Sequence, residues 1–187
     1  MQSLINLDQS LFLLINHLPH NFFLDSFFGF MTAIGFMGLI WLMIALVLNL
    51  YYRKGMKNLF KELILAEIFY FFLVELLLKN LSARLRPQFI LPRTILPFDL
   101  LQGKPFDLSQ SFSFPSGHAT IAFAGAYILG KTHRKFAFFY YLLALLISFS
   151  RIYLGKHYPG DVVAGAILGL LIGYLSSLGH LSRYEKS

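Results

Sequence analysis

The sequence contains no cysteine, and charged residues make up only 13% of its 187 positions. The lack of cysteine excludes a disulfide framework and any metal site built from thiolates. The shortage of charge argues against a water-soluble domain, because such domains carry roughly 25% charged residues. Hydrophobic residues make up 57% of the chain and include 21 Phe and 10 Tyr. This composition predicts an integral membrane protein.

Basic residues outnumber acidic ones and give a formal net charge of +7, but no nucleic-acid-binding motif accompanies them. They cluster beside apolar runs, at residues 53–61, at residues 131–135 and near the C-terminal end. Clusters of this kind are typical of cytoplasmic loops of membrane proteins, so we predict no nucleic-acid partner. The first residues, MQSLINLDQ, lack the basic region of a signal peptide, and we expect no cleavable leader.

Five apolar segments are predicted to cross the membrane, because a helical span needs about 20 residues. They are residues 25–52, 60–80, 116–131, 136–152 and 161–179. Residues 3–19 have apolar side chains at helical spacing, which favours an amphipathic helix in the interface; a short sixth span is the alternative. The predicted fold is an all-α membrane bundle of five or six helices in one domain, 1–187, with an interfacial helix within 1–22 and the bundle within 23–180.

The distribution of basic residues predicts the orientation of these segments. The first 52 residues contain no Lys or Arg, which places the N-terminus outside. Five crossings then put the two basic loops inside and the connections 81–115 and 153–160 together on the outer side. The unusual polar residues lie in or beside these two outer connections.

Three polar stretches stand at the edges of the apolar segments: KNLSARLRP (79–87), PSGH (115–118) and SRIYLGKHYPGD (150–161). In the first, Lys79 and Arg86 are seven residues apart and would project from one side of a helix that persists until a proline ends it. The second suits a helix start, where free N–H groups offer an anion site. The third adds an arginine, a histidine and an aspartate.

Together the stretches supply three cations, a helix N-terminus, two imidazoles and a carboxylate. Cations and backbone N–H groups can neutralise the non-bridging oxygens of a phosphoryl group in transfer. One histidine can attack phosphorus while the other protonates the departing oxygen. A carboxylate beside the attacking imidazole can fix its tautomer by holding the other ring nitrogen. The inventory therefore indicates phosphoryl transfer, although the sequence order does not assign the two histidines.

The three stretches resemble the signature motifs of the type 2 phosphatidic acid phosphatase family, whose site is similar to that of vanadium haloperoxidases. The family pattern is Lys, six residues, Arg-Pro; then Pro-Ser-Gly-His; then Ser-Arg, five residues, His, three residues, Asp. All three motifs match without a substitution, from about residue 79 to residue 161. A haloperoxidase is disfavoured because that chemistry is carried by soluble proteins. The resemblance indicates a membrane phosphatase that uses neither a metal nor another cofactor.

By this resemblance, His157 is the nucleophile that forms a phosphohistidine, His118 is the general acid, and Asp161 orients His157. The resemblance also implies that the phosphate is bound by Lys79, Arg86, Ser116, Gly117 and Arg151. The implied partner is a lipid phosphate in the outer leaflet of a bacterial inner (plasma) membrane, with the site on the periplasmic side. Candidate substrates are undecaprenyl pyrophosphate, phosphatidate, phosphatidylglycerol phosphate and the phosphate of a lipid A-type glycolipid.

A non-catalytic protein that binds or transports anionic lipids is the alternative. It would need the cations but not two histidines with an aspartate four residues after one of them. Glu75, four residues before Lys79, is expected to steady that lysine through an i,i+4 pair. The outer loop adds two cations, Arg93 and Lys104, that could recognise a headgroup. Its two acids, Asp99 and Asp107, lack the spacing of a calcium or magnesium loop.

Overall fold

The computed structural model of the protein describes residues 2–52, 57–97 and 112–184. Within these residues the chain is almost entirely helical, and its one isolated β-bridge pairs Leu85 with Phe112. The α-helices in this part of the chain are α1 Gln2–Asn16, α2 Phe22–Ile34, α3 Leu39–Tyr52, α4 Lys57–Tyr70, α5 Lys79–Ser82, α6 Pro87–Ile90, α7 Gly117–Thr132, α8 Ala137–Tyr153 and α9 Pro159–Tyr184. A π-helical segment, Phe71–Leu78, joins α4 to α5. Short 3-10 turns precede α3 and α8.

The predicted continuous span 25–52 is broken into α2 and α3, whose axes are bent by 57°. The break lies at Met37 and Gly38, which have φ angles of 46° and 62°. These angles belong to the left-handed region, which cannot continue a right-handed helix. The prediction of one unbroken helix was therefore wrong at this point.

Two helical segments of the described chain, Arg134–Tyr153 and Pro159–Leu178, are long and apolar enough to cross a membrane. The bent pair α2 and α3 adds a third if it forms one span. Helix α7 has only 16 residues. Acidic and basic side chains interrupt the apolar run of α4 and the π-helical segment that follows it. The number of five or six spans therefore stays a prediction.

Helix α1 has 15 residues, and at about 1.5 Å per residue it is shorter than a bilayer core of about 30 Å. Its Leu4, Leu7 and Leu14 are exposed, whereas Phe12 and Asn16 are fully buried. The side-chain amide of Asn16 donates to the carbonyl oxygens of Tyr153 at 2.8 Å and of residue 95 at 2.9 Å. These bonds fix the end of α1 to the connections 81–115 and 153–160. Its location in the membrane interface stays a prediction.

Helix α7 lies at the centre of the bundle and packs against α4, α8 and α9. Gly165, Gly169 and Gly173 of α9 face the backbone of α7; a Cβ at the first would lie 2.5 Å from the carbonyl oxygen of Ser116. This confirms the packing role expected of a small-residue stripe. The close approach brings the first turns of α7 and α9 side by side, and the backbone N–H of Ser116 donates to the carbonyl oxygen of Asp161 at 3.0 Å.

Replacing Gly169 with alanine should destabilise the protein by about 1–3 kcal/mol, the usual range for overpacking. The added Cβ would collide with the carbonyl oxygen of Thr120, a backbone atom that cannot rotate away. The measurement is the thermal unfolding midpoint of the variant in detergent. Ile167→Ala is the control, because Ile167 lies on the same helix but is 55% exposed. Equal midpoints for the two variants would contradict a tight contact between α7 and α9.

Candidate active site

The candidate residues converge at one end of the bundle, where short connections and helix termini meet. His118 lies in the first turn of α7, Arg151 in the last turn of α8, and Asp161 in the first turn of α9. His157 lies in the turn between α8 and α9, and the turn is shaped by Gly155 with a φ of +75°. The structure thus brings the three predicted motifs together.

The sequence predicted Lys79 and Arg86 on one helix, but the structure does not place them on one. Helix α5 ends at Ser82, and Ala83 takes a left-handed conformation with a φ of 44°. The chain then turns back, and Arg86 reaches the site from an extended segment: its Nη1 lies 3.5 Å from Nε2 of His157 and donates to the carbonyl oxygen of Lys156 at 3.2 Å. The two cations are nevertheless close enough for the charge of Arg86 to act on the Lys79 ammonium.

The imidazole of His157 is 2% exposed and held in one tautomer. Its Nδ1 lies 2.8 Å from the carbonyl oxygen of Ser113, which can only accept a hydrogen bond. Nδ1 therefore carries the proton, and Nε2 keeps a lone pair on the side of Arg86. Burial and the positive charges of Arg86, Arg151 and Lys79 hold the pKa of His157 well below its usual value. The ring is therefore neutral at neutral pH.

Asp161 was expected to hold the second ring nitrogen of His157, but it does not do so directly. Its Oδ2 lies 3.8 Å from Nδ1, which is beyond hydrogen-bond distance. Instead, Oδ2 accepts from the hydroxyl of Ser113 and from the backbone N–H of Tyr158 at 2.8 Å, and Oδ1 accepts from Nη1 of Arg84 at 2.6 Å. The carboxylate therefore acts on the imidazole through Ser113.

Ser113 and Arg84 were not identified from the sequence. Arg84 lies inside the first motif stretch, two residues before Arg86, and Ser113 lies three residues before Ser116. A backbone hydrogen bond joins them, since the N–H of Ser113 donates to the carbonyl oxygen of Arg84 at 2.6 Å. Their positions beside the motifs were the only available signal.

The anion site expected at Ser116 and Gly117 is only partly open. The backbone N–H of Ser116 already donates to the carbonyl oxygen of Asp161, so this group is not a free donor for an anion. The Ser116 hydroxyl, however, is buried and has no hydrogen-bond partner among the described residues. Gly117 allows a close approach, since a Cβ there would lie 2.5 Å from Oη of Tyr70 and 3.0 Å from Oε1 of Glu75.

Glu75 holds Lys79, as expected from their spacing. The Lys79 ammonium donates to both carboxylate oxygens of Glu75, at 2.6 Å and 2.7 Å. The Tyr70 hydroxyl donates to the same carboxylate. Lys79 is only 7% exposed, so this pairing offsets the cost of burying its charge. Tyr70 was also missed in the sequence, where its apolar surroundings resemble those of any core aromatic residue.

The guanidinium of Arg151 has an N–H group without an acceptor in the described residues. Its Nη1 donates to the Thr32 hydroxyl, but its buried Nε has no hydrogen-bond partner in the part of the chain that the structure describes. An unpaired buried donor is costly, so this group is suited to an anionic ligand. A cavity of about 520 Å³ reaches Arg151 and is lined also by Ser26, Gly29, Thr32, Leu96, Leu154 and Lys156. The charges of Arg151, Arg86 and Lys79 also act on His118.

In residues 2–52, 57–97 and 112–184, no group of three or more His, Cys, Asp or Glu side chains could hold a metal ion. Arg93 is exposed, and its carbonyl oxygen lies 2.8 Å from Nε2 of His17. Asp99, Lys104 and Asp107 lie outside the described residues, because the structure does not describe residues 98–111 of the connection 81–115. The described site therefore contains a neutral imidazole, a second histidine and three cations around one space.

Comparison with known proteins relates this arrangement to a family. A sequence model described as the PAP2 superfamily matches residues 60–184. An undecaprenyl-diphosphatase from Sulfolobus acidocaldarius is 39% identical over 113 residues, which cover 58% of this chain and 51% of that protein. The chain thus spans about half the length of this relative.

Two solved structures share the fold over nearly the whole chain. Aquifex aeolicus LpxE is 29% identical and superposes with a TM-score of 0.70, covering 91% of this chain and 94% of that one. A transmembrane PAP2-type phosphatidylglycerolphosphate phosphatase from Bacillus subtilis is 25% identical, with a TM-score of 0.68, covering 98% of this chain and 88% of that one. The similarity includes α1 and α2, which lie outside the part matched by the family model.

Proposed function

Since the chain belongs to the PAP2 superfamily, we propose that it is a membrane lipid phosphatase that works through a phosphohistidine at His157. The observation that carries this proposal is the tautomer of His157. Its Nδ1 is bound to the Ser113 carbonyl oxygen, so the lone pair of Nε2 lies on the side of Arg86, one of the cations that would bind a phosphate. A neutral, oriented imidazole next to a phosphate site is the arrangement that nucleophilic catalysis requires.

In the first step, Nε2 of His157 forms a bond to phosphorus, and the bond between phosphorus and the lipid oxygen breaks. Arg86, Arg151 and Lys79 neutralise the non-bridging oxygens, while the Ser116 hydroxyl and the backbone N–H of Gly117 are further donors. His118, protonated when the dianionic phosphate is bound, gives its proton to the departing lipid oxygen. This assignment of roles follows the family pattern.

In the second step, water attacks the phosphorus of phosphohistidine, and His118 takes the proton from that water. The bond between phosphorus and Nε2 then breaks, inorganic phosphate leaves, and His157 returns to its neutral form. The ring carries positive charge in the intermediate, when both nitrogens are substituted. The Asp161 carboxylate, 3.8 Å from Nδ1, and the Ser113 carbonyl oxygen stabilise that charge.

The proposed substrates are undecaprenyl pyrophosphate, phosphatidate, phosphatidylglycerol phosphate or a lipid A-type phosphate. Two of the related proteins, an undecaprenyl-diphosphatase and a phosphatidylglycerolphosphate phosphatase, support lipid phosphates as the class. The test is release of inorganic phosphate from a panel of these lipids by the purified protein in detergent with excess EDTA. A phosphatase of this kind releases phosphate from at least one lipid. Lipid binding without release would instead support the non-catalytic alternative.

We further propose that the site faces the outer side of the membrane. In the described residues the two predicted outer connections meet, since a Cβ on Gly155 would lie 2.8 Å from the Leu96 side chain. Single cysteines at Leu96 and Lys156 should therefore react together with an impermeant thiol reagent added to intact cells. A cysteine at Thr132, at the opposite end of α7, should react only after the membrane is opened. The reverse pattern would place the site in the cytoplasm.

As pH is lowered, kcat/KM should begin to fall only below pH 6.5, because burial and three cations lower the pKa of His157. The attacking imidazole must be neutral, and a lowered pKa keeps it neutral at pH values where an ordinary histidine is protonated. The profile of kcat/KM reports the free enzyme. Phosphate monoesters themselves ionise near pH 6, so the substrate is titrated separately as the control. A fall in kcat/KM that begins at or above pH 6.5, and that ionisation of the substrate does not explain, would contradict the lowered pKa of His157.

A further inference from the structure

Helix α1 contributes an acidic side chain to the edge of the active site. Asp8 accepts hydrogen bonds through both carboxylate oxygens: Oδ2 from Nη2 of Arg84 at 2.6 Å, and Oδ1 from the backbone N–H of Gly160 at 2.7 Å. Gly160 directly precedes Asp161 in the first turn of α9. Residue 8 lies outside the segment that the family model matches, residues 60–184. The contact therefore joins an N-terminal helix to the start of α9 and to the first motif stretch.

Arg84 links this acid to the buried carboxylate of the site. Its Nη2 binds Asp8 and its Nη1 binds Asp161 at 2.6 Å, so one guanidinium is shared by two carboxylates. The guanidinium also stacks on the ring of Tyr158, with Cζ 4.0 Å from the ring centroid. Burial of the two carboxylates is unequal, because the side chain of Asp161 is 0% exposed and that of Asp8 is 16% exposed. Only an arginine can make this planar, two-sided contact.

The link continues from Asp161 to the attacking imidazole. Oδ2 of Asp161 accepts from the Ser113 hydroxyl, and the Ser113 carbonyl oxygen holds Nδ1 of His157 at 2.8 Å. We propose that Asp8 and Arg84 are positioning residues of the phosphatase reaction, which hold Asp161 and Ser113 in the geometry that fixes the tautomer of His157. The inference rests on the function proposed above and assigns part of that function to α1.

The positive charge of Arg84 should also affect the pKa of His157 through Asp161, an effect that packing alone would not produce. The charged and titratable groups that act on His157 are Lys79, Arg86, Arg151, His118 and Asp161. Among them Asp161 is the negative group, and the guanidinium of Arg84, which it shares with Asp8, offsets part of its charge. Without Arg84, the buried carboxylate would favour a positive imidazole 3.8 Å away. The pKa of His157 would then rise, and the neutral nucleophile would be lost at higher pH than in the wild type.

The first test measures kcat and KM for Arg84→Gln, Arg84→Lys, Asp8→Asn and Asp8→Glu. Arg84→Gln and Asp8→Asn should lower kcat by about 10–100-fold with KM nearly unchanged, because misplacing a reacting group by about 1 Å costs up to about 100-fold. Asp8→Glu should recover part of the loss, whereas Arg84→Lys should not, since one ammonium cannot bridge both carboxylates in the same geometry. Gln9→Ala is the control, since Gln9 lines the same groove between α1 and α9 but is uncharged.

The second test records the ¹⁵N resonances of His157, which report its tautomer and pKa without requiring turnover. Wild type should show a proton on Nδ1, and Arg84→Gln should show a raised pKa and a mixture of tautomers. Asn16→Ala, which removes the other anchor of α1, controls for loosening of the helix. If Asp8→Asn had the kinetics of Gln9→Ala, or if the His157 resonances of Arg84→Gln matched wild type, the inference would be overturned. Absence of phosphate release by wild type together with the expected resonances would instead overturn the proposed function.

Discussion

Replacing His157 with alanine should lower phosphate release by about 10⁴-fold or more on every phosphate ester, as removal of a catalytic nucleophile does in other enzymes. Nε2 of His157 carries the lone pair that faces Arg86, and without it no covalent intermediate forms whatever the leaving group. The measurement is release of inorganic phosphate from a lipid phosphate and from an aryl phosphate. The same reaction, stopped in alkali with ³²P-labelled substrate, should leave label on the wild-type chain and none on the variant.

His133→Ala is the matched control, because His133 follows the last residue of α7, at the opposite end of that helix from His118. It should keep wild-type activity and labelling. Retained binding of a lipid phosphate by His157→Ala would show that the cations are still in place. If the variant still formed a labelled enzyme, the nucleophile would be a different residue, and the role of the His157 tautomer would have to be abandoned.

The residues that the sequence located belong to short local patterns. Lys79, Arg86, His118, Arg151 and His157 each stand in a motif with fixed spacing, and the fold brings these motifs to one end of the bundle. The glycine stripe of α9 also has the packing role that its spacing predicted. Helical spacing predicted the position of Arg86 less well than the motifs predicted which residues meet at the site. Arg86 reaches the site because the chain reverses after the left-handed residue Ala83, and not because a helix continues to Pro87.

The residues that the sequence did not locate act through contacts between distant parts of the chain. Asp8 and Arg84 are 76 positions apart, and Ser113 and His157 are 44 apart. Local periodicity contains no information about such pairs, because they depend on how α1 and the outer connections pack. The backbone N–H of Ser116 illustrates the same limit. The helix start was predicted, but the packing of α9 supplies the acceptor that occupies this donor.

Holding several cations close together at the site costs electrostatic free energy, and their partners offset this cost to different extents. Lys79 is paired with Glu75, whereas Nη1 of Arg151 donates to the neutral hydroxyl of Thr32 and its buried Nε has no hydrogen-bond partner in the described residues. Cations held close together without full neutralisation repel each other. A dianionic phosphate relieves this repulsion, so the site is electrostatically suited to the ligand that the proposed reaction requires.

The variant His118→Ala should lose activity in a way that depends on the leaving group. A general acid contributes about 10²–10⁴-fold, and its contribution shrinks when the leaving group departs as a stable anion. A lipid alkoxide leaves poorly, so the variant should lose about that factor on a lipid phosphate. On p-nitrophenyl phosphate it should retain much more, because the phenolate needs no proton to leave. The measurement is the ratio of aryl to lipid activity, normalised to wild type.

This ratio separates the two histidines, which share one electrostatic environment. It should rise for His118→Ala and be unmeasurable for His157→Ala, since the nucleophile is required by both substrates. The activity loss of Asp161→Asn should lie between the losses of the two histidine variants, because it keeps the imidazole but removes the charge that holds Arg84 and stabilises the intermediate. A ratio that rose for His157→Ala and stayed flat for His118→Ala would reverse the assignment. His157 would then be the general acid that protonates the leaving group, and His118 would be the nucleophile.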